Sequence, residues 1–343
     1  MPISSLVCHH VSVMKTKIYD DQLIVVTGAA GFIGSAMVRH LNDQGFFNLL
    51  LVDDFRSSIK WMNLRNKRFV DFISRDEIFK FLDGRDQEIE AFIHMGACSS
   101  TVETDGDYFM KTNYRFSVKL AEYALEHGHR FIYASSAATY GDGSLGFSDN
   151  ESQLDLLKPL NIYGFSKQMF DKWLQERGVL DKVVGLKFFN IFGPNENHKG
   201  RMASMVIHMV EQIQKSGKIQ LFKSSDPDQF GDGDQCRDFF YIKDAVKMIS
   251  HLLKSDVGGI FNVGSGEANT WNAMAKNVFK AMGKNEKIEY IPMPEDLLGK
   301  YQNYTCAEMD KFHQQKLGYQ AEFTFDSAIE DYVTNYLLKD ERW

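Results

Sequence analysis

The 343-residue chain reads as an α/β protein, a Rossmann-type doubly wound parallel sheet with a smaller C-terminal substrate-binding domain. Three observations predict this. Short apolar runs alternate with longer segments of 3.6-residue periodicity, the runs lack polar alternation, and a glycine-rich turn joins the first run to the first helix. A strand that is apolar on both faces must be covered on both faces, and intervening helices supply the cover.

The elements follow in order. The candidate strands are LIVVTG (23–28), LLLVDD (49–54), AFIHMG (91–96), RFIYASS (130–136), VVGLKFFN (183–190) and GIFNVGS (259–265). Between the third and fourth, YRFSVKLAEYALEHG (114–128) has helical periodicity and ends in a glycine suited to a left-handed stop. The expected organisation is an extension over 1–20, a dinucleotide-binding domain over 21–190 and 238–268, and a nucleotide-sugar-binding domain over 191–237 and 269–343. In such sheets ligands bind beyond the carboxyl ends of the strands.

Composition narrows the function. A net charge of −7, from 39 basic and 46 acidic residues, argues against a nucleic-acid surface. No apolar run approaches the roughly 20 residues of a membrane span. The first 20 residues lack a charged start, a continuous apolar stretch and a small-residue cleavage site, so a frayed extension is expected rather than a signal peptide. Cys8, Cys98, Cys236 and Cys306 are scattered, which fits neither a zinc site nor a disulfide framework and predicts a reducing, cytoplasmic compartment. The acidic loop SSDPDQFGDGDQ (224–235) does not place acids at the alternate positions a calcium loop needs, so no metal is expected.

The turn TGAAGFIGS holds Gly28, Gly31 and Gly34 between a strand and a helix. Glycines let a pyrophosphate approach the backbone, and the helix start offers free N–H groups. Asp53 ends the second strand, where a carboxylate accepts from the adenosine ribose. Alone it favours NAD. The cations Arg56, Lys60 and Arg75 follow closely and could neutralise the 2′-phosphate of NADP, so NADP and NAD both remain open from the residues.

NIYGFSK sets Tyr163 and Lys167 four residues apart, on one helix face. A neighbouring ammonium stabilises a phenolate and is expected to draw the tyrosine pKa down from about 10. Ser135 and Ser136 end the fourth candidate strand, where a hydroxyl can bond the reacting oxygen. His94 and Cys98 flank the third strand end and read as packing groups.

From TGAAGFIG, HMGA (94–97), Asn113 in KTNY, YASSAATYG, YGFSK and RDFFYIKDA (237–245), residues 23 to about 335 resemble the extended short-chain dehydrogenase/reductase family of nucleotide-sugar epimerases. The resemblance implies catalysis by Ser136, Tyr163 and Lys167 with a nicotinamide dinucleotide. It adds Phe32, Ile33, Asp54, Met95, Gly96, Ala97, Asn113 and Ile191 to the cofactor residues. Dehydratases of that family carry an Asp-Glu pair after the serine. Ala137 and Ala138 stand there instead, which points to an epimerase or a simple reductase.

Residues 188–209, FFNIFGPNENHKGRMASMVIHM, together with 96–109, 134–141 and 288–302, are similar to the branch acting on ADP-linked heptoses. By that likeness Lys199 is a second acid/base group. Asn190, Arg201, His208, Phe222, Ser225, Arg237 and Tyr301 become candidate substrate contacts, NADP is the expected cofactor, and a homo-oligomer is expected. Arg201 departs from the serine of that branch, and Asp54 from its asparagine. Two other readings stay in view: a UDP-hexose 4-epimerase, which gives Lys199 no special task, and a catalytically silent dinucleotide-binding regulator, which an intact Ser136, Tyr163 and Lys167 disfavour.

Overall fold

The structure, a computed structural model, describes residues 18–56, 58–99, 103–295 and 302–343. Its strands in chain order are β1 (Leu23–Thr27), β2 (Leu49–Val52), β3 (Asp71–Ile73), β4 (Ile89–His94), β5 (Arg130–Ser136) and β6 (Val184–Phe188), then β7 (Asn190–Phe192), β8 (Ile219–Phe222), β9 (Cys236–Tyr241), β10 (Gly259–Val263), β11 (Ala268–Thr270) and β12 (Ile288–Ile291). A seven-stranded sheet runs β10-β6-β5-β4-β1-β2-β3, and every pairing in it is parallel. The chain leaves β1 toward β3 and returns on the other side with β4, so the order reverses between β1 and β4. A crevice opens at such a reversal.

Alternation along the strands feeds two cores. Ile24, Val26, Leu49, Leu51 and Ile93 pack on one face, and Val25, Leu50, Val52 and Phe92 on the other. Each is at most 1% exposed, and burying such a side chain contributes about 1.5–3 kcal/mol. Helix Phe32–Asp43 covers the first face beside helix Ile242–Leu253, and Ser250 bonds Gln44 across the pair. Helices Phe116–Glu126 and Ile162–Glu176 cover the second.

All six expected strands form. β6 ends at Phe188, however, and Asn190 begins β7, which pairs with β9 in a separate three-stranded sheet, β11-β9-β7. β8 and β12 form a parallel pair of their own. β3 was not foreseen, because three residues at a half-exposed sheet edge carry no readable period. No helix among the described residues is long and apolar enough to cross a membrane.

Candidate active site

The carboxyl ends of β1, β2, β4, β5 and β6 open on a cleft of about 910 Å³. Its first wall is the glycine turn. Gly28 has φ +65°, and a Cβ there would lie 2.7 Å from the Gly96 backbone. At Gly34 a Cβ would meet the Gly28 carbonyl at 2.1 Å. The two loops therefore touch backbone to backbone, which only glycine permits. Gly31 precedes helix Phe32–Asp43 with no side-chain cap and no acid in the first turn. Gly28, Gly31, Phe32, Ile33 and Gly34 all line the cleft. A close backbone and uncapped first-turn N–H groups fit a pyrophosphate.

Asp53 shapes the adjoining wall. Its carboxylate accepts from the Ala30 N–H at 2.9 Å and from Lys60 Nζ at 2.5 Å, joining the end of β2 to the glycine turn. Asp54 accepts from the Arg75 N–H at 3.3 Å and lies 4.0 Å from its guanidinium. Arg56, exposed and in a left-handed conformation at φ +49°, lines the same rim. This end of the cleft thus gathers two carboxylates and three cations.

Met95, Gly96 and Ala97 line the cleft after β4. A chain of hydrogen bonds holds them. The Gly96 N–H donates to Thr27 Oγ1 at 3.1 Å, and Thr27 Oγ1 bonds His94 Nδ1 at 2.6 Å. His94 Nε2 bonds Ser117 Oγ at 2.8 Å, and Ser117 donates its only proton to the Asn113 carbonyl at 2.6 Å. His94 Nε2 therefore carries the ring proton, and Nδ1 accepts. Burial pushes its pKa down to about 3, with Lys167 adding to the effect, so the ring is neutral. His94 is a packing group, as expected. Asn113 is not a wall residue: 1% exposed, it sits behind the cleft and clamps Cys98, accepting from its N–H at 2.8 Å and donating to its carbonyl at 2.9 Å. Cys98, held by that clamp through its backbone, lines the cleft.

Ser136, Tyr163 and Lys167 line the centre. The Asn161 side chain caps helix Ile162–Glu176, accepting from the Gly164 N–H at 2.8 Å, and so fixes where Tyr163 and Lys167 point. Burial raises the phenol pKa of Tyr163, while its hydrogen bond with Ser136 pulls it partly back. Lys167 is 5% exposed and donates to the Ala134 carbonyl at 2.7 Å. Burial lowers its pKa to about 8, opposed by Asp171 and Cys98. The expected lowering of Tyr163 by Lys167 is thus corrected: the ammonium is turned to a carbonyl, and the phenol is raised.

Lys199 faces the same cleft, beside His198 and Ile191. It rides on the turn Asn197–Met202, which Gly200 kinks at φ +52°. Its ammonium stands 5.3 Å above the Phe32 ring. Burial lowers its pKa, and the nearby Glu196 opposes this. Glu196 is fully buried and braces the turn, accepting from the Ser204 N–H and hydroxyl, both at 2.6 Å. His198, whose only sequence signal was its place before Lys199, has a pKa pushed down to about 4 by burial and by Lys199 and Lys60.

The candidate substrate contacts divide. Asn190 and Arg201 are exposed and lie outside the cleft walls, the first because it opens β7 and the second because the Gly200 kink turns the chain outward. His208 lies on helix Met205–Ser216, 3.4 Å from Glu211. Phe222, Ser225 and Arg237 share another neighbourhood. Ser225 bonds Asn303 at 3.3 Å, the Asn303 carbonyl accepts from the Cys236 N–H, and Gln235 bonds the Lys223 carbonyl. Arg237 is buried, 5.9 Å from the Trp271 ring centre. Tyr301 lies outside the described residues. No cluster of His, Cys, Asp or Glu suited to a metal occurs among the described residues.

Comparison with known proteins agrees with this geometry. Residues 24–264 match the model of the NAD dependent epimerase/dehydratase family. A relative from Nitratidesulfovibrio vulgaris, named ADP-L-glycero-D-manno-heptose-6-epimerase, is 49% identical over 92% of this chain and 98% of its own. One of the same name from Fusobacterium nucleatum is 43% identical over 94% of this chain and its whole length. The crystal structure of the Helicobacter pylori enzyme of that name superposes with a TM-score of 0.78 at 27% identity, covering 92% of this chain and 96% of that one. The UDP-glucose 4-epimerase of Thermotoga maritima, at 24% identity and a TM-score of 0.75, shares the fold. With the family model spanning most of the chain, and relatives this similar over nearly its full length, the chain belongs to the NAD dependent epimerase/dehydratase family.

Proposed function

We propose that this chain is an isomerase that inverts C6 of the heptose in ADP-D-glycero-D-manno-heptose, giving the L-glycero epimer, a precursor for the lipopolysaccharide inner core. The observation that carries the reading is Lys199 on the wall that also bears Ser136, Tyr163 and Lys167. The relatives' names support the substrate.

A bound nicotinamide dinucleotide supplies a hydride acceptor that becomes the donor, so the cycle needs no outside oxidant. The chain's own residues handle the protons. Burial makes Tyr163 hold its proton more firmly and Lys199 hold its proton less firmly than free side chains do. Titratable groups pushed in opposite directions suit an acid and a base. Lys199 as the amine takes the C6 hydroxyl proton as the hydride leaves C6. When the hydride returns to the opposite face, Tyr163 donates a proton to the carbonyl oxygen, and proton exchange with solvent resets the amine and the phenol. Ser136 positions the phenol, and Lys167 holds the ribose edge of the cofactor.

NADP is the proposed cofactor. Arg56, Lys60 and Arg75 outnumber Asp53 and Asp54 at the adenosine end, so a 2′-phosphate meets a net positive wall. The scattered cysteines support a cytoplasmic setting, and the family resemblance a homo-oligomer. The two-part division suggested by the sequence is retained as a proposal, with Phe222, Ser225 and Arg237 on the nucleotide-sugar side.

The test is incubation with ADP-D-glycero-D-manno-heptose and, separately, UDP-glucose, followed by NMR of the sugar, with mass spectrometry of the retained cofactor. Inversion at C6 of the heptose with NADP retained supports the reading. Inversion at C4 of UDP-glucose alone would overturn it.

A further inference from the structure

Behind the catalytic wall lies a buried ion pair that the reaction scheme above leaves idle. Helix Ile162–Glu176 carries Tyr163, Lys167 and Asp171 at four-residue intervals, hence on one face. Asp171 is 0% exposed, and its partner Lys187 on β6 is 1% exposed, with 3.1 Å between them. Asp171 also accepts from Ser135 Oγ at 2.7 Å and from Tyr133 OH at 2.9 Å. Lys187 donates to Thr139 Oγ1 at 2.5 Å, and Thr139 donates to the Ser136 carbonyl at 2.8 Å.

Each bond ends on a segment that bears a site residue. Ser135 adjoins Ser136, Thr139 belongs to the turn that follows it, and Asp171 is one turn from Lys167. A buried pair of this kind is often no more stable than apolar residues of the same volume, so stability alone does not account for it.

We propose that Asp171 and Lys187 are positioning residues for the reaction: together they lock the Tyr163–Lys167 helix to the Ser136 strand and to the turn that follows it. This rests on the roles given to Tyr163 and Lys167 above. The groups facing Lys167 are Tyr163 and Asp171 from its own helix, Ser135 and Ser136 from β5, His94 at the end of β4 and Cys98 just beyond it. Of these, Asp171 is the one that most favours the charged ammonium, while His94 is neutral. Removing Asp171 lets Lys167 lose its proton at lower pH, so the alkaline limb of any process that needs the ammonium moves down.

Three variants test it: Asp171→Asn with Lys187→Met together, so that no buried charge is left alone; Thr139→Val, which keeps the ion pair and cuts its tie to Ser136; and Lys187→Arg, which conserves the charge. The readouts are thermal melting, kcat and KM for the heptose, and binding of reduced dinucleotide followed by its fluorescence from pH 6 to pH 10. The double variant is expected to melt cooperatively, lose about 10- to 100-fold in kcat, and show an alkaline limb displaced downward, by less than loss of the carboxylate alone would give because the Lys187 charge leaves with it. Thr139→Val is expected to lose severalfold in kcat at unchanged KM, and Lys187→Arg to restore most activity.

A folded double variant with wild-type kcat and an unshifted limb would overturn the proposal. If the double variant does not fold, Thr139→Val decides, and wild-type kcat there overturns it equally. Dinucleotide binding needs no sugar, so its pH dependence still tests the pair if the wild-type chain proves not to act on the heptose.

Discussion

Two lysines face the same cleft and are held in opposite ways. Lys167 sits mid-helix, 5% exposed, its ammonium on the Ala134 carbonyl and Asp171 one turn away. Lys199 sits half-buried on a short turn, beside a glycine at φ +52°, its ammonium over an aromatic ring with Glu196 nearby. Burial lowers both pKa values. The first is fastened at its tip by a hydrogen bond, as suits a fixed charge, while the second has an aromatic face and a nearby carboxylate about its tip, which lines the cleft. A fixed cation can orient and stabilise, whereas proton exchange needs a group whose tip is not already committed.

This contrast gives the largest expected effect. Lys199→Met should nearly abolish epimerisation, by roughly 10³- to 10⁴-fold, with cofactor binding and melting temperature kept. A rate within about twofold of wild type, a barrier change under ~0.5 kcal/mol, would break the comparison. Lys167→Met should cost about 10²- to 10³-fold and also weaken dinucleotide binding. Titration calorimetry separates the two lysines, because loss of binding belongs to Lys167 alone.

At the shared floor of the site the expected effect is on cofactor retention. Gly28→Ala puts a Cβ 2.7 Å from the Gly96 backbone at a positive φ, so the chain should purify without retained dinucleotide while keeping its secondary structure by circular dichroism. Full retention after purification would show that the 28–96 contact does not shape the cofactor wall.

The smallest effect concerns pH and stability. The His94 pKa is lowered to about 3, and those of His40 and His198 to about 4, all chiefly by burial. The unfolded chain takes these protons near pH 6.5, while the folded chain refuses them until pH 3–4. The unfolded state therefore binds more protons in that window, and stability falls as pH drops from 6.5 toward 3. Melting temperatures should decline by on the order of several degrees between pH 7 and pH 5. A flat profile would mean that these rings are protonated in the fold.

What the sequence revealed was what is local. The glycine turn is legible because strand, turn and helix start are contiguous, and Tyr163 with Lys167 because helical spacing alone puts them on one face. Lys199 needed resemblance as well, since nothing in NENHKG by itself says which way the turn points. Arg201 shows the limit: two residues along, it faces outward because of one glycine conformation. Asn113 was placed in the cofactor wall by resemblance, yet it holds Cys98 from behind. The Asp171–Lys187 pair joins a helix to a strand across the sheet, and no periodicity encodes such a contact. The lowering expected for Tyr163 failed because charge proximity along a helix does not say where an ammonium's hydrogen bonds go.

The central claim is that one hydride leaves C6 and returns to C6 with no exchange against solvent. It is tested by running the reaction on ADP-D-glycero-D-manno-heptose in deuterated water with no added cofactor, and reading the C6 position by proton NMR. The account predicts conversion to a mixture of the two C6 epimers with protium retained at C6 in both. Deuterium at C6 of the product, or conversion that stops after one equivalent per bound dinucleotide, would contradict it.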